Sequence, residues 1–373
     1  MGSSDGAGDA GGGATLGGAS PLPGSASERP INAALAIAAF TTGCTLAPIA
    51  RYAAGAMRAR SLCLPLCLLL CAGCAGGSAD PAPSSTPSAS ASTSAATGPA
   101  PSASAAAASR PADPLHGENL LATATFLAAP DFRGREAGTE DERRAATFLG
   151  ERLDALGIAA PEGGRSWDFP FGSRTSQNVL GVITTKESQE WILIGAHYDH
   201  EGIRSGTLYP GAEDNASGVA VTLALAQALS ERRAELGRNV AIVFFGAEER
   251  GLVGSRAFVE RWDHARTPLA LMVNVDMIGR PLVDQPLLWL GARALGVLKG
   301  VDPDRAVGVL LSEDSPALTA AVKETTASAG VTAITIADLP ESLRAPVAGL
   351  AQGRGDHAPF ERMGVPFVFF SSG

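Results

Sequence analysis

Five short runs of apolar residues, at 179–184, 191–196, 240–245, 269–275 and 366–370, do most to limit what this chain can fold into. Each is strand-sized and rich in Val, Ile and Phe. Each is also continuous rather than alternating, which predicts strands covered on both faces. Stretches of helical length lie between them, at 216–229, 252–262 and 315–328. Upstream, 140–156 places Ala145, Phe148, Leu149, Leu153 and Leu156 at the spacing of an amphipathic helix. The alternation predicts an α/β fold, a three-layer α/β/α sandwich around a mixed, largely parallel sheet. Neither a GxSxG elbow nor a phosphate-binding Gly-rich loop is present, which argues against a serine hydrolase and a nucleotide enzyme.

Composition divides the chain near Pro114. Before it, Ala, Ser, Gly and Pro dominate; after it the sequence reads as one globular domain of roughly 260 residues, 115–373. All five cysteines (Cys44, Cys63, Cys67, Cys71, Cys74) precede residue 75, so the globular part has no disulfide, thiol nucleophile or thiolate ligand. The net charge of −9 and the lack of a Lys/Arg cluster predict no nucleic-acid partner.

The leading segment reads as an address. Arg58 and Arg60 precede a short apolar run ending at Leu70, too short for a permanent membrane span but suited to a signal peptide. Ala72 and Gly73 before Cys74 resemble a bacterial lipoprotein processing site, although Cys71 stands where that signal prefers Leu. Residues 57–74 are therefore expected to be a lipoprotein-type signal peptide. Cys74 would carry a lipid anchor, placing the exported protein on a bacterial membrane facing the periplasm or cell exterior. Residues 1–56 then have no role and read as a non-native or disordered extension. The competing reading, a membrane helix over 31–50, is weakened by Thr41, Thr42, Gly43 and Pro48. Residues 75–114, nearly devoid of charge and large apolar side chains, are expected to be a disordered linker.

Histidines and carboxylates collect where the predicted strands end, as sites do in open α/β sheets. The run at 191–196 leads into His197-Tyr198-Asp199-His200. The stretch at 216–229 follows Glu213-Asp214-Asn215, and the run at 240–245 leads into Glu248-Glu249. Asp276 follows 269–275, and Asp356-His357 precedes the last run. Singly, each is ordinary: a Glu-Glu pair is usually a solvated face, and Asp-Asn before a helix is usually a cap. His116 and His264 keep the bland reading. The ordered set, imidazoles and carboxylates without thiolates, suits Zn²⁺ or a similar borderline cation. Asp199 could accept the His197 ring N–H and fix its tautomer. Of Glu248 and Glu249, one could face a metal and the other a bound water.

These segments resemble the bacterial zinc aminopeptidases of metallopeptidase clan MH, of the peptidase M28 type, whose relatives include glutamate carboxypeptidase and glutaminyl cyclase. The pattern H-x-D, D-(N/D)-x-(A/S)-G, E-E, D and a late D-H is matched in order from about Leu115 to the C-terminus, with an upstream Gly-Arg-Glu-Ala-Gly-Thr stretch at 134–139. The resemblance implies a zinc-exopeptidase-like fold with two Zn²⁺ per chain. His197 and Asp276 would hold one, Glu249 and His357 the other, and Asp214 would bridge them. It further implies Glu248 as general base and peptides as substrates, cut at the free N-terminus. Against the family pattern, a Tyr-His-containing loop and the C-terminal helix after 366–370 are missing. The expected function is an aminopeptidase. The alternatives are a glutaminyl-cyclase-type acyltransferase with one zinc and an inactive, truncated metal-binding lipoprotein; a carboxypeptidase or dipeptidase lies within the same family.

Overall fold

The computed structural model describes residues 113–372 apart from 282–292, 295, 297–298, 313–314 and 352. The expected signal peptide, lipid-bearing Cys74 and the extension at 1–56 lie outside the described residues, as does nearly all of the linker. In chain order the elements are α1 (Gly117–Leu127), α2 (Glu140–Ala155), β1 (Ser166–Phe171), β2 (Arg174–Ile183), β3 (Trp191–His197), β4 (Gly202–Arg204), β5 (Thr207–Tyr209), α3 (Gly218–Glu231), β6 (Asn239–Phe245), α4 (Val253–Arg261), β7 (Leu269–Val275), β8 (Ala306–Leu311), α5 (Pro316–Ser328), β9 (Thr332–Thr335), α6 (Glu341–Ala351), α7 (Ala358–Arg362) and β10 (Phe367–Ser371).

Eight strands form one mixed, largely parallel sheet in the order β1-β2-β6-β3-β7-β10-β8-β9. Its centre, β6-β3-β7-β10, is parallel throughout, while β1, β2 and β8 pair antiparallel with their inner neighbours. The continuous apolar runs are explained by the pleat, which sends successive side chains to opposite faces. Ile192, Ile194 and Ala196 of β3 join the core formed with α1, α2, α3 and α5, whereas Trp191 and Leu193 join a second core with Phe258, Trp262 and Phe360. Aromatic contacts dominate that second layer: Phe258 stacks on both Trp167 and Trp262.

Local chemistry sets the helix ends. Thr139 caps α2 by accepting the Glu142 N–H, and Glu140, Asp141 and Glu142 in its first turn complement the helix dipole. Helix α3 starts two residues later than the apolar stretch predicts, because 212–217 form a wider turn; the Gly218 N–H then finds its acceptor in Asn215 Oδ1 at 2.9 Å. Gly218 must be glycine for space: a Cβ there would lie 2.3 Å from Asn215 Oδ1 and 2.5 Å from the Val275 carbonyl.

Elements absent from the sequence expectations are α1, β1, the β4–β5 hairpin, β8, β9, α6 and α7. Strand β1 alternates exposed and buried residues and holds Pro170, a pattern suited to a sheet edge and weaker in sequence than a buried run.

Candidate metal centre

The site gathers at the carboxyl ends of the parallel strands. His197 is the last residue of β3, Glu248 and Glu249 follow β6, and Asp276 follows β7. Asp214 sits in the turn before α3, in a peptide bond to Asn215 that is cis. Hydrogen bonds fix these loops to one another. Asn215 Nδ2 donates to the Val275 carbonyl at 3.0 Å, and its Oδ1 accepts the Met277 N–H at 3.1 Å. Ser217 Oγ accepts from Ile278 N, and Glu213 accepts from Gly279 N. Asp214 and Asp276 are thereby held in register. On the other side the Tyr198 N–H donates to the Phe245 carbonyl. The fully buried Asp199 carboxylate accepts the N–H groups of Glu248 at 2.9 Å and Glu249 at 3.3 Å.

Two groups of donors result, and Asp214 belongs to both. In the first, His197 Nε2 lies 3.1 Å from Asp214 Oδ1 and 3.3 Å from Asp276 Oδ1. In the second, His200 Nδ1 lies 2.8 Å from Glu249 Oε1 and 3.9 Å from Asp214 Oδ2. A tetrahedral ion with bonds of about 2.0–2.2 Å places its ligand atoms roughly 3.3 Å apart, which the first group approaches and the spacings of the second bracket. His200 Nδ1, Glu249 Oε1, Asp276 Oδ1, both carboxylate oxygens of Asp356 and both ring nitrogens of His357 are shielded from solvent without a well-formed hydrogen bond among the described residues, as atoms meant for a cation would be.

Electrostatics follow from crowding acids beside imidazoles. Burial opposes a charge on His197, but Asp276, Glu248 and Asp214 outweigh it and raise its pKa well above the usual value. Burial likewise opposes Asp214, yet the hydrogen bond with His197 and the charges of His197, His200 and Arg135 hold it below the normal carboxylate range. Burial pushes Glu248 up to about 8; His197 opposes the shift, while Asp356, Asp276 and Asp199 add to it. Asp199 also rises to about 8 through burial, against the pull of His197.

Of the residues expected from sequence, the structure brings together His197, Asp214, Asp276 and Glu249, with Glu248 beside them. Two placements differ from expectation. The His197 Nδ1 partner is the Asp199 backbone carbonyl at 3.2 Å, with the Asp199 carboxylate at 3.8 Å, because that carboxylate is engaged by the Glu248 and Glu249 amides. His357 lies outside both groups: it is fully buried and stacked on Phe367 and Phe369, with centroids 4.5 and 4.9 Å away, and both its ring nitrogens are without a hydrogen-bond partner among the described residues. His200, given no role from the sequence, holds the place beside Glu249. Its position three residues past His197, in the same strand-end loop, was the available signal.

Comparisons with known proteins bear on the family and the fold. The profile of peptidase family M28 matches residues 178–373. Leupeptin-inactivating enzyme 1 of Streptomyces exfoliatus is 27% identical over 275 residues, 73% of this chain and 52% of that protein. The probable lipoprotein aminopeptidase LpqL of Mycobacterium tuberculosis is 38% identical over 107 residues, 28% of this chain and 20% of that protein. The chain thus spans about half or less of the length of these curated relatives. Among solved structures, the Legionella pneumophila LapA aminopeptidase shares the fold with a TM-score of 0.50 at 20% identity, over 69% of this chain and 60% of that one.

Proposed function

The chain belongs to peptidase family M28, and on that premise we propose that it is a zinc-dependent exopeptidase, an aminopeptidase that removes N-terminal residues from peptides. The observation that carries the reading is Asp214, whose two carboxylate oxygens face two different histidine–carboxylate groups. One cation would be held by His197 and Asp276. The other would be held by Glu249 and His200, His200 lying 2.8 Å from Glu249, in place of the His357 that the resemblance implied. Bound there, a zinc pair would supply the Lewis acidity that polarises a scissile carbonyl and brings a water's pKa to about 7.

The chain's own residues supply the rest. His197 Nδ1 faces the Asp199 carbonyl; carrying the ring proton on Nδ1 leaves the Nε2 lone pair for the acidic side of the site. Glu248, next to Glu249 in the turn that follows β6, is the group to take a proton from the attacking water and return it to the leaving amine. Asp199 fixes where Glu248 stands through the backbone of the Glu248–Glu249 turn. The name of LpqL, together with the signal-peptide pattern at 57–74, supports export and a lipid anchor at Cys74.

The test is hydrolysis of aminoacyl-anilides by the purified chain with and without chelator, beside the same substrates with blocked amines. Expected are cleavage of free-amine substrates only, loss with chelator, recovery with zinc, and a fall in kcat of about 10²–10⁴ for Glu248→Gln. One zinc per chain with cyclisation of N-terminal glutamine, or unchanged activity in Glu248→Gln, would overturn the proposal.

A further inference from the structure

Arg135 is buried without solvent exposure, in the Gly-Arg-Glu-Ala-Gly-Thr stretch that the reaction itself does not use. Among the described residues its guanidinium meets no carboxylate directly. Instead it donates to four main-chain carbonyls: Nε to Tyr198 at 2.8 Å, Nη1 to Leu127 at 2.6 Å and Pro210 at 2.8 Å, and Nη2 to Gly211 at 2.8 Å. Tyr198 lies between His197 and Asp199, and Gly211 opens the turn that carries Asp214. The arginine therefore joins the two ends of the β4–β5 hairpin, whose strands lie between those points. Its backbone adds a third tie, because the His200 N–H donates to the Arg135 carbonyl at 3.1 Å and Gly202 N to the Gly134 carbonyl at 3.1 Å.

We infer that Arg135 is a positioning residue for cation binding, setting His197 and His200 on one chain segment at the right distance from Asp214 on another. The inference rests on the reading of the site as a zinc centre. Two features of a guanidinium suit the task. A planar fork with five N–H groups can satisfy four carbonyls from three segments at once, one more than the three N–H groups of a lysine ammonium can reach. A fixed positive charge beneath Asp199, Asp214 and Glu249 also tempers the repulsion among acids that must stay together before a cation arrives. Packing at Gly211 is correspondingly tight: at φ +63°, a Cβ there would lie 2.6 Å from Arg135 Nη2 and 2.4 Å from the Asp214 carbonyl. Neighbouring arginines do something different. Arg174 and Arg250 pair with Glu136 at 2.8 and 3.0 Å, and both are at least partly open to solvent.

The experiment compares the full chain with Arg135→Lys, Arg135→Met and, as a control in the same segment, Arg174→Met. Zinc affinity is measured by competition with a chromophoric chelator, alongside circular dichroism and the zinc dependence of kcat and KM. Both Arg135 variants are expected to fold and to bind zinc about 10- to 100-fold more weakly, the usual consequence of loosening what orients metal ligands. Their kcat should fall at limiting zinc, with KM at saturating zinc within about twofold of the parent. Arg174→Met should bind zinc like the parent. The inference is overturned if Arg135→Lys binds zinc within about threefold of the parent, or if Arg174→Met loses as much. It also fails if Arg135→Lys cannot fold, since the arginine would then hold the domain rather than the site. A parent that binds no zinc would remove the zinc-centre reading itself, a result distinct from tight parental binding with unaltered variants.

Discussion

His197 and His357 are both buried histidines drawn from the same sequence pattern, yet their surroundings are opposite. His197 faces Asp214 and Asp276 at 3.1 and 3.3 Å, and its pKa is raised well above the ordinary value in spite of burial. His357 lies against the rings of Phe367 and Phe369, and burial alone lowers it to about 4. Neither of its ring nitrogens has a hydrogen-bond partner among the described residues. Burial is common to both, so the neighbours decide the chemistry. Carboxylates make one imidazole attractive to protons, while burial keeps the other neutral.

The comparison breaks most sharply at Asp214. Asp214→Asn keeps the shape but loses one acceptor oxygen, and with it the shared ligand of both groups. The expected result is loss of bound zinc and a fall in kcat/KM of about a thousandfold, several kcal/mol of transition-state stabilisation. Zinc content and steady-state kinetics check this together.

The second prediction separates His200 from His357. His200→Ala should leave one zinc after dialysis where the parent retains two, with a rate about a hundredfold lower. His357→Leu, an apolar replacement in an apolar setting, should retain both ions and a rate within about twofold of the parent.

The smallest effect concerns pH and stability. His357 has a folded pKa of about 4 against an ordinary 6.5, so between those values the unfolded chain binds more protons. Its contribution to stability is complete above pH 6.5 and is lost as pH falls toward 4, by up to about 3 kcal/mol. Thermal unfolding of His357→Leu should therefore decline less than the parent's over that window. Equal declines would place the acid sensitivity elsewhere.

Much of this was written in the chain. The β3, β6, β7 and β10 runs are legible because strands buried on both faces leave few polar interruptions, Asn274 in β7 being one. His197, Asp214 and Asp276 are legible because each stands at a strand end or helix start. Three-dimensional pairing was not. Asp199 lies two residues from His197, which suggests a bond to the ring, but its carboxylate is engaged by amides 49 and 50 residues away. His200 and Arg135 act through contacts set by the β4–β5 hairpin, short strands of three residues each with no apolar run to announce them. His357 fits the family's order of residues, while its packing against Phe367 and Phe369 is a contact that the sequence does not show.

The most direct measurement is anomalous diffraction at the zinc absorption edge from crystals of the zinc-loaded chain. Two peaks are predicted on either side of the Asp214 carboxylate, one contacted by His197 Nε2 and Asp276, the other by His200 Nδ1 and Glu249. A single peak, or a second one bound to His357 in place of His200, would contradict the account.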